Sequence, residues 1–361
     1  MAHSGYSSAS VAPSVGRIIE TRRTSRHQRD HWRVATERTR PESADLTYDY
    51  LRLMLMFPVG LIAVSSLLEA WLVTHHFRDS ISDYYQSPIR DLFVGGLMAS
   101  AVCLIAYKGD SKLEDYALNF AGFNAFFVAL VPNNLTEVLR QADISGPVGL
   151  LQTRSEIVSN LRISLSSLLV LALFFVVMDW RVMHWTPFDW DSQQLPSRII
   201  VVTSWVAEIA FIFGVLAMLL GHESFFGKSS YGLVHFGGAT LLIANLSFAV
   251  ASHAWPEKLR IQSPHVTEPL VPPVAAATDP GEAQAAVLVA AAPDQIPFYR
   301  IVVALMWAGL IIGGICIASD KPYSVIVTEY YEIILFVVFW SRATRASWVP
   351  VRHRDRRGRP A

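Results

Sequence analysis

The sequence predicts an all-α fold, a polytopic transmembrane helix bundle of about eight spans. Three observations carry this. Hydrophobic residues fill 52% of the 361 positions and charged residues only 17%, with a mean hydropathy of +0.34, too apolar for a soluble domain. Eight apolar runs are long enough to cross ~30 Å of hydrocarbon at ~1.5 Å per residue. Aromatic residues stand at the ends of those runs, where an interfacial belt belongs: Tyr50, Tyr107, Trp180, Trp255 and Trp340 at one face, Trp71, Tyr84, Tyr85, Tyr231 and Tyr323 at the other.

Taken in order, residues 1–49 are polar, rich in Ser and Arg, and contain no apolar h-region, so they read as a disordered cytoplasmic tail rather than a signal peptide. Arg22-Arg23 stands roughly 27 residues before the first apolar run, too far for a twin-arginine signal. The bundle occupies 50–340, with spans expected at 50–73, 90–107, 113–131, 163–180, 199–220, 231–251, 298–318 and 323–340. Asn119 and Asn124 interrupt the third. The connection 132–162 holds Asn133-Asn134 and Gly146-Pro147, with a short surface helix expected near Thr136–Gln141. Residues 254–297 are Pro- and Ala-rich and read as a mobile linker, since Ala283–Ala292 is too short to span. Residues 341–361 read as a basic cytoplasmic tail, and no internal repeat is visible.

Placing both termini on one side puts 23 of the 30 Lys and Arg residues there. The positive-inside bias then predicts a multi-pass protein of the cell membrane with N- and C-termini cytoplasmic. The 30 basic and 30 acidic residues balance, which argues against a nucleic-acid partner. Cys103 and Cys316 are expected near opposite membrane faces, so a disulfide between them is not expected.

The stretch Ser80–Gly96 organises the rest. Ser87 is expected to cap the second span, Pro88 to occupy its first helical position, and Asp91 to meet the positive end of its dipole. Arg90, beside Asp91 and Asp83, then stands at the outer interface. It reads as an anion- or carboxylate-recognising mouth, or as an interfacial arginine reaching for water. Deeper, Glu69, Glu208, Glu329 and Glu332 fall inside apolar runs, and His235 lies one turn into the sixth. A carboxylate near the bilayer centre costs about 3 kcal/mol on insertion scales, so such groups normally face protein or water. Glu329 and Glu332, three apart, share a helical face, and Glu332 is the leading single candidate for a proton or cation site. The bland reading is neutral glutamates bonded to neighbouring helices.

His75, His76, His222 and His235 collect on the same side, and with Asp83 or Glu223 they offer nitrogen and oxygen ligands for Zn²⁺. No His-x-x-x-His pair presets two of them, so no cofactor is expected; the weak zinc candidates are His222, His235 and His76. Gly309 and Gly313 permit close helix approach, within the bundle or across a homo-oligomer interface. No phosphate-binding loop and no nucleophile elbow is present.

The run Ser80-Ile81-Ser82-Asp83-Tyr84-Tyr85, with Arg90-Asp91-Leu92-Phe93-Val94-Gly95 after it, resembles a signature of uncharacterised bacterial multi-pass membrane proteins. Tyr107-Lys108-Gly109, Glu114-Asp115, and Glu332 with Phe336 and Phe339-Trp340 fit the same pattern, which covers the first three spans and the last. The resemblance implies a polytopic fold and no particular activity. Where that pattern would open the fourth span with His, this chain has Arg162. A weaker similarity to the alkaline ceramidase and adiponectin-receptor superfamily would cast Ser80, Asp83, His222 and His235 as its zinc-site residues. The paired histidines those proteins carry on one late helix are missing here.

The expected function is that of a non-enzymatic membrane protein that transports or senses a small solute, proton or lipid through an outer polar vestibule. Arg90, Asp91 and Asp83 would line its mouth, with Glu69, Glu208, His235, Glu329 and Glu332 deeper. The alternatives are an intramembrane metal-dependent lipid hydrolase and a structural or assembly protein. The partners implied are the lipid bilayer, a small ligand, and optionally a second copy of the chain.

Overall fold

A computed structural model describes residues 47, 50–109, 111–133, 135–136, 138–140, 153–182, 195–222, 224–225, 228–259, 295–319 and 323–357. The N-terminal tail apart from Thr47, Asn134, Gly146-Pro147, Glu223 and residues 260–294 of the linker lie outside the described residues. The helix bundle falls within the compact unit Leu51–Ala361, apart from Tyr50 at its start.

Helices stand at all eight places the hydropathy predicts. They are α1 (Tyr50–Thr74), α2 (Arg90–Ala106), α3 (Lys112–Leu130), α4 (Arg154–Val182), α5 (Leu195–Leu219), α6 (Ser230–Ala254), α7 (Ile296–Ala318) and α8 (Ser324–Arg357). All but α2 and α3 are long and apolar enough to cross a membrane, which makes six. α2 has 17 residues, and α3, with 19, carries Lys112, Glu114 and Asp115 in its first turn. Among the described residues the one extended pairing is a two-residue antiparallel ladder, Ser224–Phe225 on Lys228–Ser229.

Three features depart from expectation. α2 begins at Arg90 rather than Pro88, because Ser87 caps a turn instead: its Oγ accepts the Ile89 amide (3.2 Å) and its carbonyl accepts that of Arg90 (3.0 Å). α4 starts at Arg154, well before residue 163. α8 continues to Arg357, through most of the segment expected to be a basic tail.

α3 packs along both α2 and α6; α6 packs on α5 and α7, and α7 on α8. One apolar core joins α3, residues 135–139, α4, α5 and α6 through Phe127, Leu135, Leu165, Val215 and Val234. A second joins α1, α2, α8 and the loop between α1 and α2 through Ile62, Ile81, Tyr84, Phe93 and Ile326. Burial of such side chains contributes about 1.5–3 kcal/mol each against water, but against lipid the gain shifts to packing.

Close packing explains two of the three glycines of α7. A Cβ on Gly309 would collide with Glu332 Oε1 and the Tyr331 ring, and one on Gly313 with Thr328. These glycines therefore seat α8 within the bundle. Cys103 lies near the C-terminal end of α2 and Cys316 near that of α7, at opposite ends of the bundle, and both are free thiols.

The aromatic belt is only partly on the surface. Trp71 and Tyr323 are exposed, but Tyr84, Tyr107 and Trp340 are buried. Tyr107 and Trp340 clamp α1 at the end opposite the Ser80 loop: Arg52 Nε donates to the Tyr107 hydroxyl (2.9 Å) and Trp340 Nε1 to the Arg52 carbonyl (2.8 Å). Polar tips of both aromatics are satisfied inside the protein rather than by headgroups.

Candidate functional site

The Ser80 loop is a plug, built from its own backbone upward. α1 ends in a π-helical turn, Ala70–Thr74, and leaves through His75 in the left-handed region (φ 56°). The chain then forms a 3-10 helix, Ile81–Gln86, capped by Ser80, whose Oγ accepts the Ser82 amide at 3.0 Å. Glu329 of α8 meets this N-terminus. It accepts Ser80 Oγ–H (2.9 Å), the Ile81 amide (2.6 Å) and Ser82 Oγ–H (3.4 Å). Orphan donors at a helix start are thus met by a carboxylate from a distant element. In return, the Asp79 backbone carbonyl accepts the Ile326 amide (2.9 Å) in the first turn of α8.

α1 closes the other side of the plug. Arg78 pairs with Glu69 (3.0 Å), Tyr84 donates to the Ser66 carbonyl (3.2 Å), and Ser66 Oγ meets the Tyr330 hydroxyl at 2.6 Å. Burial, reinforced by Tyr330 and Glu69 nearby, pushes the Tyr84 phenol above its ordinary value, with the Arg78 amide and charge offsetting part of the rise. Sequence reasoning found Glu69 and Glu329 but missed Arg78, Ser66 and Tyr330, whose signal was only that each is polar beside an apolar run.

Of the remaining expected site residues, Asp83 belongs to the plug, in the first turn of its 3-10 helix, and the others do not gather there. Arg90 is exposed; its guanidinium lies 4.5 Å from the Tyr85 ring centroid and donates to the Tyr85 hydroxyl (3.0 Å). Asp91 is exposed and Asp83 half-buried. His235 is buried on α6 and bonds the Val131 carbonyl through Nδ1. Glu208 of α5 receives Asn124 Nδ2 of α3 and Asn245 Nδ2 of α6 (3.0 Å) on one oxygen, Oε1. Glu332, 5% exposed, lies against Gly309, and neither of its carboxyl oxygens has a hydrogen-bond partner.

The acids and the histidine expected around one vestibule thus make their contacts at several places in the bundle, two of the acids at the plug. Glu329 and Glu69 both hold the plug, through Ser80 and Ile81 and through Arg78, while Glu208 lies between α3, α5 and α6, His235 on the residue that ends α3, and Glu332 against α7. Glu329 and Glu332, though three apart, serve different neighbours because that spacing still turns them ~60° apart around the axis. An open groove does exist beside the plug, lined by Leu67, Leu68, Trp71, His75, His76 and Phe77, but none of the glutamates lines it.

Among the described residues, no three of His, Cys, Asp and Glu come together as metal ligands. Of the zinc candidates, His76 Nδ1 is bonded to the Thr74 carbonyl (2.7 Å), His222 is exposed, and His235 stays on Val131. A pair absent from the sequence reading lies at the opposite end, where His253 Nε2 of α6 meets Glu114 Oε1 of α3 at 3.0 Å.

Compared with protein-family models, curated proteins and solved structures, the chain matches none.

Proposed function

We propose that the protein is an eight-span, non-enzymatic protein of the cell membrane, with both termini cytoplasmic, that transports or senses a proton or small solute through Glu332. The helices α2 and α3 support the count of eight, because they stand where the hydropathy places two further spans. At 17 residues α2 reaches about 26 Å, which suits a slightly thinned bilayer.

One observation carries the functional reading: Glu332 is buried in a membrane-length helix with both carboxyl oxygens unpartnered. Buried polar groups are nearly always satisfied, and an intramembrane carboxyl without a protein partner is a place for an incoming proton or ligand. The plug roofs this end of the bundle, with Glu329 one turn above Glu332 on α8. Entry from that side therefore requires the plug to move, which makes Arg90 and Asp91 its outer rim rather than a recognition site.

The test is reconstitution into lipid vesicles, with proton and solute flux and the rate of carbodiimide labelling as readouts. Glu332→Gln is expected to lose the labelling and the flux while insertion stays normal. Labelling and flux that are indifferent to Glu332→Gln would leave the chain as a structural or assembly protein.

A further inference from the structure

The Asn124–Glu208–Asn245 cluster has an unusual imbalance. All three side chains are at most 2% exposed. Both amides donate to the same oxygen, Glu208 Oε1, and Asn124 Nδ2 also donates to the Phe120 carbonyl (2.9 Å). With two acceptors on its nitrogen, the Asn124 amide is fixed in orientation. What is left over is two acceptor oxygens, Glu208 Oε2 and Asn124 Oδ1, neither with a partner.

A proton satisfies both at once. On Oε2 it makes the carboxyl a donor toward Oδ1, while Oε1 keeps the Asn124 N–H, closing a cyclic acid–amide pair. No bond other than O–H forms, and Asn245 remains on Oε1. A metal cation is the poorer match, since hard cations take about six or more oxygens and two are open here.

One turn from the cluster, toward the end bearing Glu114 and His253, lies a cavity with room for about one water. Phe120, Ser204 and Phe248 line it, each one turn from Asn124, Glu208 and Asn245 respectively, with Tyr116 and Val201 beyond. On all three helices that offset points to the same end of the bundle. Glu114, itself buried, lies ten residues from Asn124 along α3, about 15 Å, toward the same end.

We propose that Glu208 is a second intramembrane proton-binding site, its proton bridged to Asn124 Oδ1 and exchanged through the cavity from the Glu114–His253 end. It extends the proton reading but stands on a different carboxyl, so results at Glu332 leave it unaffected.

Infrared difference spectroscopy of the full chain in lipid, in the Glu332→Gln background, tests it. A carboxylic-acid carbonyl band that shifts in D₂O is expected, lost in Glu208→Gln and moved to higher frequency in Asn124→Leu. Gln reproduces every hydrogen bond of the acid form, so Glu208→Gln is also expected to keep the melting temperature. The proposal is overturned if Glu208→Gln removes no such band, if Asn124→Leu leaves it in place, or if Glu208→Gln fails to fold.

Discussion

Glu329 Oε2 accepts the Ile81 amide at 2.6 Å across 248 positions of sequence. One carboxylate on the last helix thereby caps a two-turn 3-10 helix between the first two. In the same stretch Tyr84 and Phe93 are buried, while Tyr85 lies half-buried under Arg90.

Replacing Glu329 by Ala should release the plug. Ser80 Oγ and the Ile81 amide lose their acceptor, and leaving a buried donor unsatisfied costs about 1–3 kcal/mol. A drop in melting temperature with faster proteolysis around residues 79–86 is the expected outcome. An unchanged cleavage rate would mean the plug is held by its apolar contacts alone.

The Glu69–Arg78 pair should be asymmetric. The Glu69 side chain is 1% exposed and that of Arg78 26%. Arg78→Ala strands a buried carboxyl and should cost about 3 kcal/mol, whereas Glu69→Ala leaves an arginine able to reach water and should cost about 1 kcal/mol. Chemical denaturation of both variants and the double mutant measures the difference. Equal costs would show that the pair is already wet.

Close approach predicts a contrast among the glycines of α7. Gly309→Ala and Gly313→Ala should each destabilise by about 1–3 kcal/mol, because the new methyl meets Glu332 and Tyr331 or Thr328. Gly314→Ala, with nothing within 4 Å, should be neutral or slightly stabilising. Thermal melts of the three proteins in one detergent decide this.

Plug docking should also depend on alkaline pH. Tyr84 donates its hydroxyl to Ser66, and its folded-state value is raised above the ordinary phenol. A raised value means the stabilisation is complete below about pH 10 and is lost as pH climbs through the higher folded value. Hydrogen exchange of residues 79–86 should therefore rise more steeply than intrinsic exchange above that range. Tyr84→Phe should remove the extra steepness and leave the remaining slope unchanged.

How much was legible depends on how far each signal reaches along the chain. Eight apolar runs became eight helices with ends within a few residues, except at α4 and α8, because hydropathy and length act locally. The buried acids could be picked out for the same reason: a charge type inside an apolar run is visible by itself. Their partners could not. Asn124 read only as an interruption of the third span, although it completes the Glu208 cluster across 84 positions. Likewise the Glu114–His253 pair spans 139 positions and has no local pattern.

By itself, the sequence determined that this chain is an apolar helical bundle with several glutamates at hydrocarbon depth. Only the tertiary structure decided what each acid meets, with Glu329 consumed by a cap, Glu69 paired with Arg78 and Glu332 left open against Gly309. The physical reason is that helix formation is set within a few turns, whereas hydrogen-bond partners are set by which faces meet.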